Sequence, residues 1–112
     1  MELRIEKIAE SVTRAIPVGR WDVKGAAEID LRLSAITATS GAIIIDLAEV
    51  TYLASMGMRS IVMGAKATSS RGGKIALLSP GPLVEEVLTT AGIDQLVPIY
   101  RDLDEATRAL TA

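Results

Sequence analysis

The 112-residue chain contains no cysteine, no histidine and no phenylalanine, and each absence excludes a kind of structure. Without cysteine it can form neither a disulfide framework nor a thiolate metal site. Without histidine it lacks the usual general base of serine hydrolases and the commonest metal ligand. One tryptophan and two tyrosines are its only aromatic residues, so its core must be largely aliphatic. We therefore expect no enzymatic activity and no metal or other cofactor.

The charge and hydropathy of the chain limit the kinds of partner and the cellular location that we expect for it. Its 12 basic and 14 acidic residues give a net charge of −2, without a basic cluster, which argues against nucleic-acid binding. No apolar run is long enough to span a bilayer, and the N-terminus does not resemble a signal peptide. With 49% hydrophobic residues, the chain can bury a sizeable core. We expect one domain over residues 1–112, located in the cytoplasm and not inserted into a membrane.

The hydrophobic periodicity predicts an α/β fold with the element order β-β-α-β-α-β-α-β-α. Alternating strands and helices indicate parallel strands joined by crossovers, after an initial antiparallel hairpin. We expect a mixed β-sheet with the helices mainly on one face. The predicted strands cover residues 2–6, 12–18, 43–47, 74–78 and 96–100.

Two predictions concern the strands that contain proline. The first two strands form a hairpin with a loop near residues 9–11, and Pro17 lies in its second strand. Because proline cannot donate to a β-ladder, we expect a free edge or a bulge at that point. Pro98 lies in the last strand, which we expect at an edge of the sheet for the same reason.

The most informative stretch joins the strand at 43–47 to the second helix, predicted over residues 57–69. The apolar face of this helix is formed by Met58, Ile61, Val62 and Ala65. Ser55 lies just before this helix, where a serine oxygen can serve as the N-cap. A phosphate also suits the position, since the free amides and the helix dipole favour negative charge. The two roles are compatible.

The same stretch resembles the STAS family (sulphate transporter and anti-sigma factor antagonist). The family pattern is an apolar strand ending in Asp-Leu, a short connection, and then Asp-Ser-Ser/Thr-Gly-Leu opening a helix. The chain departs from it by having Ala54 and Met56 in place of two polar residues. A Gly-x-apolar-Asp segment before the first helix, here residues 19–22, extends the likeness. The residues that carry the main pattern are Asp46, Leu47, Val50, Leu53, Ser55, Gly57, Met58 and Lys66.

This resemblance implies a regulatory protein-binding module of the anti-sigma factor antagonist type. Unphosphorylated, such a protein binds an anti-sigma factor that is itself a serine kinase, and a sigma factor is released. Phosphorylation ends the binding, and a phosphatase can reverse it. By position, Ser55 would be the phosphoacceptor. The expected partner-binding residues are Asp22, Ala54, Met56, Gly57, Met58 and Arg59.

Several roles remain open at this stage. The chain could instead be an accessory STAS subunit of a transporter, of the phospholipid-transport ATPase type, or a component of a stress-signalling scaffold. Asp22 also suits the N-cap of the first helix, and Gly57 suits a close approach of backbone segments. Arg59 is either an exposed helix residue or a contact for a phosphate. Asp46 is expected to bond the turn that leads to Ser55.

Overall fold

A computed structural model describes the whole chain, residues 1–112. It contains six strands and four α-helices, and none of the helices is both long and apolar enough to cross a membrane. In chain order they are β1 (Glu2–Ala9), β2 (Val12–Trp21), α1 (Val23–Thr39), β3 (Ala42–Asp46), β4 (Val50–Leu53), α2 (Ser55–Ser70), β5 (Lys74–Leu78), α3 (Pro82–Thr90), β6 (Ile99–Tyr100) and α4 (Leu103–Thr111).

The strands form one mixed sheet, as the periodicity predicted. Its main path runs β1-β2-β3-β5-β6, and β4 pairs with the second half of β2. The β1–β2 pair is an antiparallel hairpin, and the other pairs are parallel. The parallel strands therefore end at a common edge of the sheet, where their following turns lie close together.

The helices lie mainly on one face of the sheet, which confirms the predicted fold class. In β3, Ile43 and Ile45 face the larger core, which is covered by α1, α2 and α3. Ala42 and Ile44 face a smaller core on the other side, which is covered by α4. Both faces of β3 are thus buried, because side chains alternate along a strand. This explains its unbroken apolar sequence.

The sequence prediction missed one strand, β4, in the connection between β3 and α2. Val50 and Leu53 are buried while Thr51 and Tyr52 are exposed, so the segment had no simple alternation. It becomes a strand because β2 continues through Trp21 and offers it a free edge. β4 positions the residues that follow it, which open α2.

Pro17 occupies the point at which β2 changes partners. Residues Val12–Ala15 of β2 pair with β3, whereas Gly19–Trp21 pair with β4. Pro17 lies between these two ladders, and on its other side it stands opposite Leu3 of β1. At Pro17, β2 therefore pairs with neither β3 nor β4. The missing N–H of the proline costs no ladder hydrogen bond at this free stretch of edge, as the sequence predicted.

The last strand is shorter than predicted, although it does lie at an edge of the sheet. Only Ile99 and Tyr100 pair with β5, whereas residues 93–95 form a 3₁₀ turn. The prediction of a strand over 96–100 was wrong because the turn buries Val97 in the larger core and leaves Leu96 66% exposed. The alternating burial of Leu96 and Val97 therefore arises from the packing of this turn and not from a strand.

Candidate functional site: the Ser55 turn

The first turn of α2 and its N-cap, residues 54–58, form what we call the Ser55 turn. Ala54 is the N-cap, with an extended backbone (φ −103°, ψ 177°), and Ser55 is the first helical residue. The prediction that Ser55 caps the helix was therefore wrong, as was the predicted start at Gly57. Ala54 has no side-chain oxygen, so the cap position could not be recognised by its residue type.

Ser55 is exposed at the open end of a 16-residue helix. The amides of a first helical turn have no intrahelical acceptor, and the dipole places partial positive charge there. The N-cap supplies no side chain to satisfy them, since Ala54 makes no capping hydrogen bond. This environment stabilises an anionic group carried by the first helical residue.

Gly57 fixes the Ser55 turn against Trp21. A Cβ atom at Gly57 would lie 2.6 Å from Cδ1 of Leu53 and 2.7 Å from both Cγ and the carbonyl oxygen of Trp21. The same carbonyl accepts a hydrogen bond from the amide of Ala54 at 2.9 Å. The glycine is thus explained by close approach to β2, as its sequence context predicted.

Asp22 follows Trp21 directly, so its loop lies beside the Ser55 turn. Its Oδ1 accepts a hydrogen bond from the amide of Gly25 at 2.9 Å, which makes it the predicted N-cap of α1. That bond is the main reason why the pKa of Asp22 is lowered from its ordinary value, and Arg20 contributes further. The carboxylate is half-buried and charged at neutral pH.

Arg20 and Tyr52 are additional surface residues that the sequence did not single out. They are paired across β2 and β4, and the Arg20 guanidinium lies 4.3 Å from the centre of the Tyr52 ring. Nε of Arg20 lies 3.6 Å from a carboxylate oxygen of Asp22. Only the unpredicted strand β4 brings these two side chains together, so no local pattern could identify them.

Two grooves flank the Ser55 turn. Met56 and Arg59 line one groove, of about 610 Å³, between α1 and α2. Within it, the Ser60 hydroxyl lies 2.7 Å from Oδ1 of Asp30. Met58 lines the other, largely apolar groove of about 550 Å³, between β4 and α3. The half-buried methionines Met56 and Met58 therefore contribute adaptable apolar surface on either side of Ser55.

Asp46, at the end of β3, supports the segment that leads to β4. Its Oδ1 accepts a hydrogen bond from the amide of Ala48 at 3.0 Å, which confirms the predicted turn-bonding role. Its Oδ2 accepts from Nε of Arg14 at 3.0 Å. Asp46 is only 4% exposed, so this ion pair compensates a nearly buried charge.

Because Ala54 has no capping side chain, we expect Ala54→Asp to increase the stability of the protein. A carboxylate at the N-cap would accept a hydrogen bond from the first turn of α2 and stabilise the protein by about 1 kcal/mol. Urea unfolding can be followed through the fluorescence of Trp21, the only tryptophan and a fully buried one. Ala54→Asn should give a similar gain without charge, and Ala54→Leu none. Equal stability of all three variants would contradict Ala54 as the cap.

Comparison with known proteins agrees with this fold. A family model described as the STAS domain matches residues 4–106. A protein of Thermotoga neapolitana, provisionally named an anti-sigma factor antagonist, is 39% identical over 64 residues. The match covers 57% of this chain and 57% of that protein, so the chain aligns with little more than half of the relative's length.

Solved structures match over nearly the whole chain. A crystal structure of a Thermotoga maritima protein, also provisionally named an anti-sigma factor antagonist, has a TM-score of 0.90 at 27% identity. That match covers 98% of this chain and 95% of the other. The Bacillus cell fate determinant SpoIIAA in its phosphorylated form has a TM-score of 0.74 at 15% identity, which shows a shared fold. Coverage there is 96% of this chain and 99% of SpoIIAA.

Proposed function

Because this chain belongs to the STAS domain family, we propose that it is an anti-sigma factor antagonist regulated by phosphorylation of Ser55. The observation that carries the proposal is the exposed Ser55 hydroxyl at the N-terminus of α2, which has no capping side chain. The names of the Thermotoga relatives support the first half of the proposal. The phosphorylated form of a protein with the same fold, SpoIIAA, supports the second.

The proposed modification needs no catalytic group in this chain. A partner kinase would supply the nucleotide, the magnesium ions and the base. The Ser55 oxygen would attack the γ-phosphorus, its proton would pass to the kinase base, and the nucleoside diphosphate would leave. The resulting phosphoserine carries a charge of about −1.5 to −2 at the positive end of α2, so the fold should persist. A phosphatase would restore the hydroxyl.

The proposed docking surface is centred on the Ser55 turn. In its unphosphorylated form it would bind an anti-sigma factor kinase, so that a sigma factor is released. Charge added at Ser55 would disrupt that contact by desolvation cost and repulsion. A partner that controls transcription implies action in the bacterial cytoplasm. The proposed surface comprises Asp22, Ala54, Met56, Gly57, Met58 and Arg59, with the buried Gly57 holding the turn against Trp21.

Ser55→Asp is expected to weaken binding to the cognate anti-sigma factor kinase at least tenfold, a loss of about 1.4 kcal/mol or more. Isothermal titration calorimetry with the purified pair measures this directly. Ser55→Asn tests size without charge and should bind more tightly than Ser55→Asp. Ser11→Asp places the same charge in the exposed β1–β2 turn, at the opposite end of β2, and should keep the wild-type affinity. Equal affinities for wild type and Ser55→Asp would refute the proposed regulation.

A second candidate function has one observation in its favour. Ala54 and Met56 leave Ser55 without the polar neighbours of the kinase-substrate pattern. In this alternative, Ser55 is not modified and the same surface binds a transporter ATPase or a stress-signalling scaffold. Incubation with the cognate kinase, magnesium and ATP separates the alternatives. Incorporation of one phosphate per chain, absent in Ser55→Ala, supports the antagonist. No incorporation supports the alternative, a transporter accessory subunit or a scaffold component.

A further inference from the structure

The exposed side of α2 carries a defined stripe of residues that begins at Ser55. Arg59, Met63 and Lys66 follow Ser55 by four, eight and eleven positions. At about 100° per residue, all four lie within an arc of about 80° on the helix surface. All four are exposed. We call this set the α2 stripe.

The α2 stripe has one sign of charge and no internal compensation. The sequence of α2 contains no acidic residue. The six ion pairs of the protein involve neither Arg59 nor Lys66. Between these two cations, the apolar side chain of Met63 is 55% exposed. Two unpaired cations on either side of an adaptable apolar group fit an acidic protein surface with an apolar recess.

Resting on the proposed function, we infer that the α2 stripe docks an acidic patch of the anti-sigma factor, and that phosphorylated Ser55 withdraws Arg59 from this contact. Ser55 and Arg59 are four residues apart in a helix, which brings their Cβ atoms to about 6 Å. A guanidinium group binds phosphate in a bidentate manner. The modification would therefore add repulsive charge and also neutralise a docking cation.

A protein partner fits these observations better than a nucleic acid or a lipid surface. The stripe offers two cations on a chain whose net charge is −2. Polyanion binding usually depends on several phosphate contacts and a broad basic surface. The exposed Met63, beside the groove between α1 and α2, instead suits packing against an apolar recess of a protein partner.

The pairing of phosphate with Arg59 can be tested without any partner. Phosphoserine is incorporated at position 55, and the second ionisation of its phosphate, ordinarily near pH 6, is titrated by ³¹P NMR. Arg59 favours the dianion, so the phosphate pKa should be lower in wild type than in Arg59→Ala by about 0.3–0.7. Lys66→Ala, at the far end of the stripe, should leave it unchanged. Identical titrations for wild type and Arg59→Ala would overturn the pairing.

The docking chemistry is tested by association kinetics of the unphosphorylated protein with the cognate anti-sigma factor. At low ionic strength, Arg59→Glu and Lys66→Glu should each slow association about tenfold, and added salt should reduce the difference. Arg108→Glu is the matched control, since Arg108 is exposed on α4, which covers the opposite face of the sheet. Met63→Ala should chiefly accelerate dissociation.

The outcomes distinguish this inference from the proposed function. Tight binding that is insensitive to salt and to both charge reversals would overturn the docking stripe and leave the proposed function standing. Failure of the wild-type protein to bind the anti-sigma factor would refute both the function and the docking. Binding to anionic lipid vesicles instead, lost in Arg59→Glu, would reassign the stripe to a membrane surface. The phosphate titration decides the Ser55–Arg59 pair in every case.

Discussion

Gly57→Ala is expected to destabilise the protein by about 2 kcal/mol, even though alanine is the better helix former. The added methyl group would meet a carbonyl oxygen and an indole ring, both belonging to Trp21, at 2.7 Å. Trp21 is fully buried in the larger core, so neither group can move freely. The first turn of α2 would have to lift away from β2.

Gly64→Ala is the matched control on the same helix. Its new Cβ would lie 3.2 Å from Cγ2 of Thr37, a contact that a shift of a few tenths of an ångström relieves. Alanine gains up to about 1 kcal/mol of helix propensity, so no loss of stability is expected. Urea unfolding monitored by Trp21 fluorescence compares the two variants. If Gly57→Ala is as stable as Gly64→Ala, the close contact with Trp21 does not constrain the turn.

The same substitution tests whether the position of the turn matters for binding. At a temperature at which Gly57→Ala remains folded, we expect weaker binding to the anti-sigma factor because Ser55 and Met58 are displaced together. Gly64→Ala changes a buried site at mid-helix and should keep its affinity. A folded Gly57→Ala protein with wild-type affinity would show that the partner tolerates movement of the Ser55 turn.

The fold class could be predicted because its determinants are local. The apolar run of β3 and the change of period in α2 each fit within a few residues. The same holds for the N-cap Asp22, which lies three residues before the amide that donates to it. The close approach at Gly57 was also foreseeable from residue type, because glycine is a poor helix former and the lack of a side chain suits a tight backbone contact. These features depend little on distant parts of the chain.

The unpredicted features depend on contacts between distant segments. β4 forms because Trp21 and its neighbours extend β2, and the Arg20–Tyr52 contact depends on that pairing. The N-cap at Ala54 follows from the hydrogen bond of its amide to the Trp21 carbonyl, which holds the preceding residues in a strand. A cap without a polar side chain leaves no residue signal. Competition between strand and helix, decided by tertiary packing, therefore set the start of α2.

The ion pair between Arg14 and Asp46 joins residues 32 positions apart and gives the second large expected effect. Arg14→Met should destabilise the protein by about 2–3 kcal/mol, because it leaves the Asp46 carboxylate buried without its cation. The side chain of Asp46 is 5% exposed and that of Arg14 is 25% exposed, so water compensates only part of the loss. Asp46 also bonds the turn towards β4, so the loosening should extend towards the Ser55 turn.

Two further variants separate this ion pair from general damage to β2. Glu6→Gln removes the charge of the exposed Glu6 carboxylate, which lies 3.0 Å from the Arg14 guanidinium. It should lower the free energy of unfolding by less than about 0.5 kcal/mol. The double variant Arg14→Met/Asp46→Asn removes both charges while the amide oxygen can still accept from Ala48. It should recover more than half of the stability lost in Arg14→Met, measured together with the single variant Asp46→Asn in a double-mutant cycle by urea unfolding. Strict additivity of the two single substitutions would mean that the carboxylate is sufficiently hydrated without Arg14, and that the end of β3 is held by its backbone ladder alone.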